Sequence, residues 1–136
     1  MKKLISVFFA FIVAFSLCAC STGISGDEAK SFINGFLEEI ESEDYKAAEE
    51  FLHPDRSADL QTFFETVEKD NEVVFSDINI EKYTGFESSL YDSTVGGSTY
   101  SLTMKISASD KVFRMEIEIV KNDNGYGIYN LDIDFD

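Results

Sequence analysis

The period of the hydrophobic pattern changes once along this chain, and that change restricts the fold more than any other feature. Ahead of residue 71 apolar residues recur at helical spacing. Ala29, Phe32, Ile33, Phe36, Leu37 and Ile40 follow i, i+3, i+4, i+7, i+8, i+11, the stripe of an amphipathic helix. Beyond Asn71 the pattern alternates. Tyr100, Leu102, Met104 and Ile106 share one face; so do Phe113, Met115, Ile117 and Ile119; so do Tyr129, Leu131, Ile133 and Phe135. A period of two belongs to strands with one buried face. The links are short: Ser107 to Lys111, with Ser109-Asp110 at the turn, and Asn122-Asp123-Asn124-Gly125. Both suit antiparallel hairpins.

Local signals complete the elements. Asp27 and Glu28 suit the positive N-terminus of the first helix. Gly35 inside it costs about 1 kcal/mol relative to Ala, which close packing would justify. Asp44 caps a second, shorter helix with Tyr45, Ala47, Ala48, Phe51 and Leu52 apolar. His53-Pro54 ends it, because a residue before proline avoids helical geometry. Ser57 caps a third helix whose inner face is Leu60, Phe63, Phe64 and Val67. Val73 to Thr84 reads as a first strand, with Ile78 and Ile80 on one face and a bulge near Tyr83-Thr84-Gly85. Phe86 to Ser98 reads as a long connection containing Gly96-Gly97. Three helices followed by a four-stranded antiparallel meander make an α+β domain, expected as a two-layer sandwich.

The first 20 residues carry an address. Met1-Lys2-Lys3 precedes an apolar run, Leu4 to Ala19, broken only by Ser6 and Ser16. That run is short for a bilayer span, which needs about 20 residues, and fits the hydrophobic region of a secretory signal. Leu17-Cys18-Ala19-Cys20 resembles the lipobox of bacterial lipoproteins. The resemblance implies cleavage before Cys20, acylation of Cys20, and an extracytoplasmic protein anchored to a bacterial membrane by lipid. An ordinary secretory cut just after Cys20 and an uncleaved anchor remain the alternatives. The expected divisions are a signal peptide over 1–19, a lipidated linker over 20–26 and a domain over 27–136. Cys18 and Cys20 are the two cysteines, so a lipoprotein cut leaves a mature domain without a free thiol or an internal disulfide.

Charge narrows the partners. The chain has 11 Lys+Arg against 26 Asp+Glu, a net charge of −15. Removing Lys2 and Lys3 leaves 9 basic side chains against the same 26 acidic ones, or −17. Such a surface argues against nucleic acid and anionic headgroups. Its plainest meaning is solubility; a basic envelope partner is the specific alternative.

Phe32-x3-Phe36-Leu37, Glu43-Asp44-Tyr45-Lys46-Ala47-Ala48 and Leu52-His53-Pro54 resemble the opening of small bacterial lipoproteins with a cystatin-like, nuclear-transport-factor-2-like domain. That resemblance implies helices on a curved sheet, together forming a cone. Enzymatic members of the superfamily, isomerases and dehydratases, place a carboxylate base inside the cone. Here the inward faces hold apolar residues plus Tyr100 and Tyr129, while Glu116, Glu118, Asp132 and Asp134 alternate onto the other face. No catalytic residue, cofactor or metal is expected. The outer carboxylates read as a solvated face offset by Lys105, Arg114 and Lys121, with a hard-cation site the alternative. His53, the single histidine, reads as a capping or packing residue.

Two groups remain as candidate sites. Phe86, Leu90 and Tyr91, in the expected long connection, are the candidate contact loop. Tyr45, Tyr83, Tyr100 and Tyr129 are the candidate lining of a cone pocket, or else the edge of a core. The expected function is a non-catalytic, membrane-tethered module whose partner is an envelope protein or a small apolar ligand. The alternatives are cone-pocket isomerase or dehydratase chemistry, and an acidic accessory or inhibitory subunit.

Overall fold

The computed structural model describes residues 23–135. Cys20 and the signal segment lie outside the described residues. The element order is α1 (Gly26–Glu41), α2 (Tyr45–Glu49), α3 (Leu60–Asn71), β1 (Ile78–Asp92), β2 (Gly97–Ala108), β3 (Lys111–Asn122) and β4 (Gly125–Asp134). The sheet is antiparallel in the order β1-β2-β3-β4. Three helices and a four-stranded antiparallel sheet make the α+β class that the change of period predicts.

The helices start at side chains that satisfy their free N–H groups. Ser25 caps α1 in a reciprocal capping box with Glu28. The helix therefore begins ahead of Asp27, and Ile24 is already buried, so the expected linker is structured from its last residues. Asp44 caps α2 as expected. Asp59, not Ser57, caps α3 by accepting from the Thr62 N–H at 3.0 Å. Glu72 ends α3 in a left-handed conformation, φ 53°.

The first strand departs most from expectation. Val73 and Phe75 are buried but lie ahead of it. β1 then runs straight through the expected Phe86–Ser98 connection as far as Asp92, paired to β2 with register shifts at Ile80/Lys82, Tyr83/Gly85 and Ser89/Asp92. What looks like a loop in the sequence is an edge strand. Its apolar and polar residues fall out of a two-residue period because each bulge resets which residues face inward.

The other strands alternate through their middles, with Met104 opposite Met115 and Ile117 opposite Leu131, while Thr99–Tyr100 and Ile119–Val120 are buried as consecutive pairs. A register shift corrects the expected face of β4. Glu118 pairs with Asn130 while Ile119 pairs with Ile128, so Tyr129 bulges out and Ile128 takes the buried position, 1% exposed. Phe36 and Phe64 of the helices share one core with Phe75, Met104, Met115 and Ile117.

A short parallel bridge ties the end of α2 to β4. The His53 N–H donates to the Ile128 carbonyl at 2.9 Å, and the Ile128 N–H donates to the Phe51 carbonyl at 2.8 Å. The crossing requires a bare backbone at Gly127, where a Cβ would sit 2.5 Å from the His53 nitrogen.

Candidate functional site

The four tyrosines expected around one pocket are dispersed. Tyr45 is half-buried and stacks on Phe64 with centroids 6.4 Å apart. Burial first, then the Glu68, Glu43 and Glu65 carboxylates, push its hydroxyl above the usual phenol range. Tyr100 is buried beneath Phe86, centroids 5.8 Å apart and rings 6° from parallel. Tyr83 is partly exposed with the Lys30 ammonium 4.5 Å from its ring centroid. Tyr129, at its bulge, packs edge-on against His53 and carries the Arg56 guanidinium 4.3 Å above its ring.

His53 is 1% exposed and fully engaged. Its Nδ1 accepts the Asp55 N–H at 3.0 Å, so the ring proton sits on Nε2 and is donated to Asn122 Oδ1 at 2.9 Å. Asn122 in turn accepts from the Asn124 N–H and donates to the Val95 carbonyl. This network pins the β3–β4 turn to the segment after α2, and the Asn122–Val95 bond ties the β1–β2 turn to β3. With both ring nitrogens committed to the fold, neither is available to a ligand.

The outer sheet face is held by its own polar contacts. Arg114 lies between Glu116 at 3.5 Å, Asp132 at 3.5 Å and Asp134 at 3.9 Å. Glu118 accepts from Asn130 at 2.7 Å. Among the described residues no group of three or more His, Cys, Asp or Glu side chains is placed to hold a metal ion.

Leu90 and Tyr91 stand apart from these packed groups, and Phe86 covers Tyr100 while leaving most of its own surface open. Phe86, Leu90 and Tyr91 are 67%, 80% and 68% exposed, at the far end of a strand that pairs on one side only. The turn behind them is stiff. Asp92 accepts from the Thr94 N–H at 2.8 Å and from the Thr94 hydroxyl. Those bonds hold the Asp92 carboxyl below the usual range. Gly96 turns the chain at φ +69°. Gly97 lies so close to β3 that a Cβ would meet the Lys121 carbonyl at 2.1 Å. Ser98 Oγ donates to the Leu90 carbonyl at 2.9 Å. The segment that enters α1 crosses this same place: a Cβ on Gly23 would lie 2.8 Å from Leu90 Cδ2. An open groove of about 320 Å³ runs beside this contact, lined by Gly23, Ile24, Ser25, Ser88, Ser89 and Leu90.

Sequence reasoning missed one group. The Tyr126 hydroxyl is buried and finds no hydrogen-bond partner among the described residues. Burial, and then the nearby Glu28 carboxylate, push it well above the usual phenol range. Its edge-on contact with Phe32, centroids 4.9 Å apart, joins β4 to α1 across 94 residues of sequence. No local signal could have announced that pairing.

Among the described residues no helix is long and apolar enough to cross a membrane. No family model, curated protein or solved structure matches the chain.

Proposed function

We propose that this chain is a lipid-anchored, extracytoplasmic module with a cone-shaped, cystatin-like, nuclear-transport-factor-2-like domain. It acts by surface contact and not by catalysis, and its contact surface is the tip of β1. The carrying observation is that Phe86, Leu90 and Tyr91 are the three most exposed large hydrophobic side chains among the described residues, while the polar side chains most suited to chemistry are spent on the fold. His53 is closed by Asp55 and Asn122. The inner sheet residues Leu102, Met104, Ile106, Met115 and Ile117 are buried against helical side chains. A packed interior favours a surface contact over isomerase-like chemistry or a small apolar ligand held inside.

The anchor rests on Leu17-Cys18-Ala19-Cys20 behind a basic, apolar leader. One paired experiment tests anchor and surface together. Wild type and Cys20→Ala are grown with a palmitate analogue, and their envelope fractions are footprinted with a side-chain label. Wild type takes up the analogue and shows Phe86 and Tyr91 shielded in the envelope; Cys20→Ala takes up none and shows both open. Label surviving in Cys20→Ala sinks the anchor. Equal footprints at residues 86–91 sink the contact surface.

A further inference from the structure

The occupant of the β1 tip follows from where the chain enters the domain. Gly23 lies against Leu90, and Cys20 is three residues earlier. Three residues span at most about 10 Å. An acyl group on Cys20 therefore holds Leu90 no more than about 10 Å from the lipid-anchored residue. We propose that Phe86, Leu90 and Tyr91 seat in the interfacial zone of the bilayer, so that tether and strand tip form one two-point membrane contact. This rests on the acylation of Cys20 given above.

Side-chain chemistry fits a lipid surface. Leu90 and Phe86 supply apolar area, and Tyr91 pairs an apolar ring with a hydroxyl suited to the headgroup level. Charge fits as well. From Phe86 to Ser98 only Glu87 and Asp92 are charged, in a chain with 26 acidic side chains. The remainder of that stretch is largely Ser, Thr and Gly. The strand tip itself adds little repulsion, but Asp27 and Glu28 at the start of α1 and Asp123 in the β3–β4 turn lie at the same end, so the contact is expected on zwitterionic and not anionic lipid. Three side chains would not hold a free protein on a bilayer. On a short tether the second contact is intramolecular, at an effective concentration of about millimolar, and a weak contact is then sufficient.

Other occupants fit less well. A partner strand would need a regular open edge, but β1 is broken by three register shifts, a device that blocks strand addition. A second copy would bring two strongly acidic molecules together over three side chains each. That area falls short of the roughly 1,200 Å² of a stable interface.

The chain contains no tryptophan, so one introduced tryptophan reports its own surroundings. Acylated full-length Leu90→Trp and Asp110→Trp are reconstituted into phosphatidylcholine vesicles with acyl chains brominated near the headgroup. Asp110 is in the β2–β3 turn, at the opposite end of the sheet from the β1–β2 turn. Position 90 is expected to be quenched by roughly half or more, as burial about 5–10 Å into the headgroup–acyl boundary brings it against the bromines; position 110 is expected to be unaffected. Vesicle-bound, palmitate-labelled protein with position 90 in water overturns this inference and leaves the anchor standing. Position 90 shielded but unquenched means that protein covers the tip, and also overturns it. Protein that carries no label and does not stay on vesicles overturns the anchor and the inference together.

Discussion

Replacing His53 with alanine empties a buried site and removes two part-buried hydrogen bonds at once. It strands the Asp55 N–H and takes away one of the two donors to Asn122 Oδ1. The vacated ring volume and the weakened pairing together are expected to lower the stability of His53→Ala by about 2–4 kcal/mol in urea denaturation. The opposite result is expected at Tyr126. Among the described residues its hydroxyl is buried with no partner at full hydrogen-bond distance, and it lies beside the Glu28 carboxylate. Tyr126→Phe removes the unpaired group and keeps the ring on Phe32, so thermal unfolding is expected at the same or a higher temperature than in wild type. The two residues differ in how far the sequence could be read. His53-Pro54 announces a helix end, and a structural histidine is the natural reading there. Its partner Asn122 lies 69 positions away, and nothing between them signals the pairing.

Helix caps are local, and the pH response of α3 belongs to its own first turn. The Thr62 N–H and hydroxyl both donate to Asp59, holding the Asp59 carboxyl below its usual range. A lowered folded pKa means that the charged cap contributes fully above the unfolded value, about 3.9, and is lost as pH falls through the folded value. The stability difference between wild type and Asp59→Asn should therefore be constant at neutral pH and shrink below about pH 4. A difference that instead changes between pH 5 and 8 would place the effect elsewhere. Strand β1 makes a different prediction. Phe86 and Leu90 are mostly exposed, so Phe86→Ser and Leu90→Ser are expected to shift stability by no more than about 1 kcal/mol, since exposed sites are usually near neutral. Phe64→Ala, fully buried, is expected to cost about 3–5 kcal/mol in the same assay. A large loss at Phe86 would show that its stacking on Tyr100 is structural and not a free surface.

At the scale of the whole molecule, like charges dominate. With a net charge of −15 on the full chain, self-repulsion opposes compaction, and the ion pairs of Arg114 and of Lys105 with Glu81 are too exposed to offset much of it. Screening should relieve that repulsion. The unfolding temperature is expected to rise with sodium chloride between about 20 and 200 mM, as the Debye length falls below the spacing of the surface charges. A flat response would mean that the carboxylates are already far enough apart to ignore one another. The sequence by itself determined the element types and the class. Helical and alternating periods are set by which face of an element must be dry, and that is a property of neighbouring residues. It also determined the short hairpins after β2 and β3, whose turns are local. Only the tertiary structure decided that residues 86–92 continue a strand, that Tyr129 leaves the inner face and that Gly23 rests against Leu90. Each of these depends on a register or a crossing between segments far apart in sequence. A bulge moves side chains from one face to the other at little local cost, so the pattern along one strand cannot report it; the partner strand must be present to fix it.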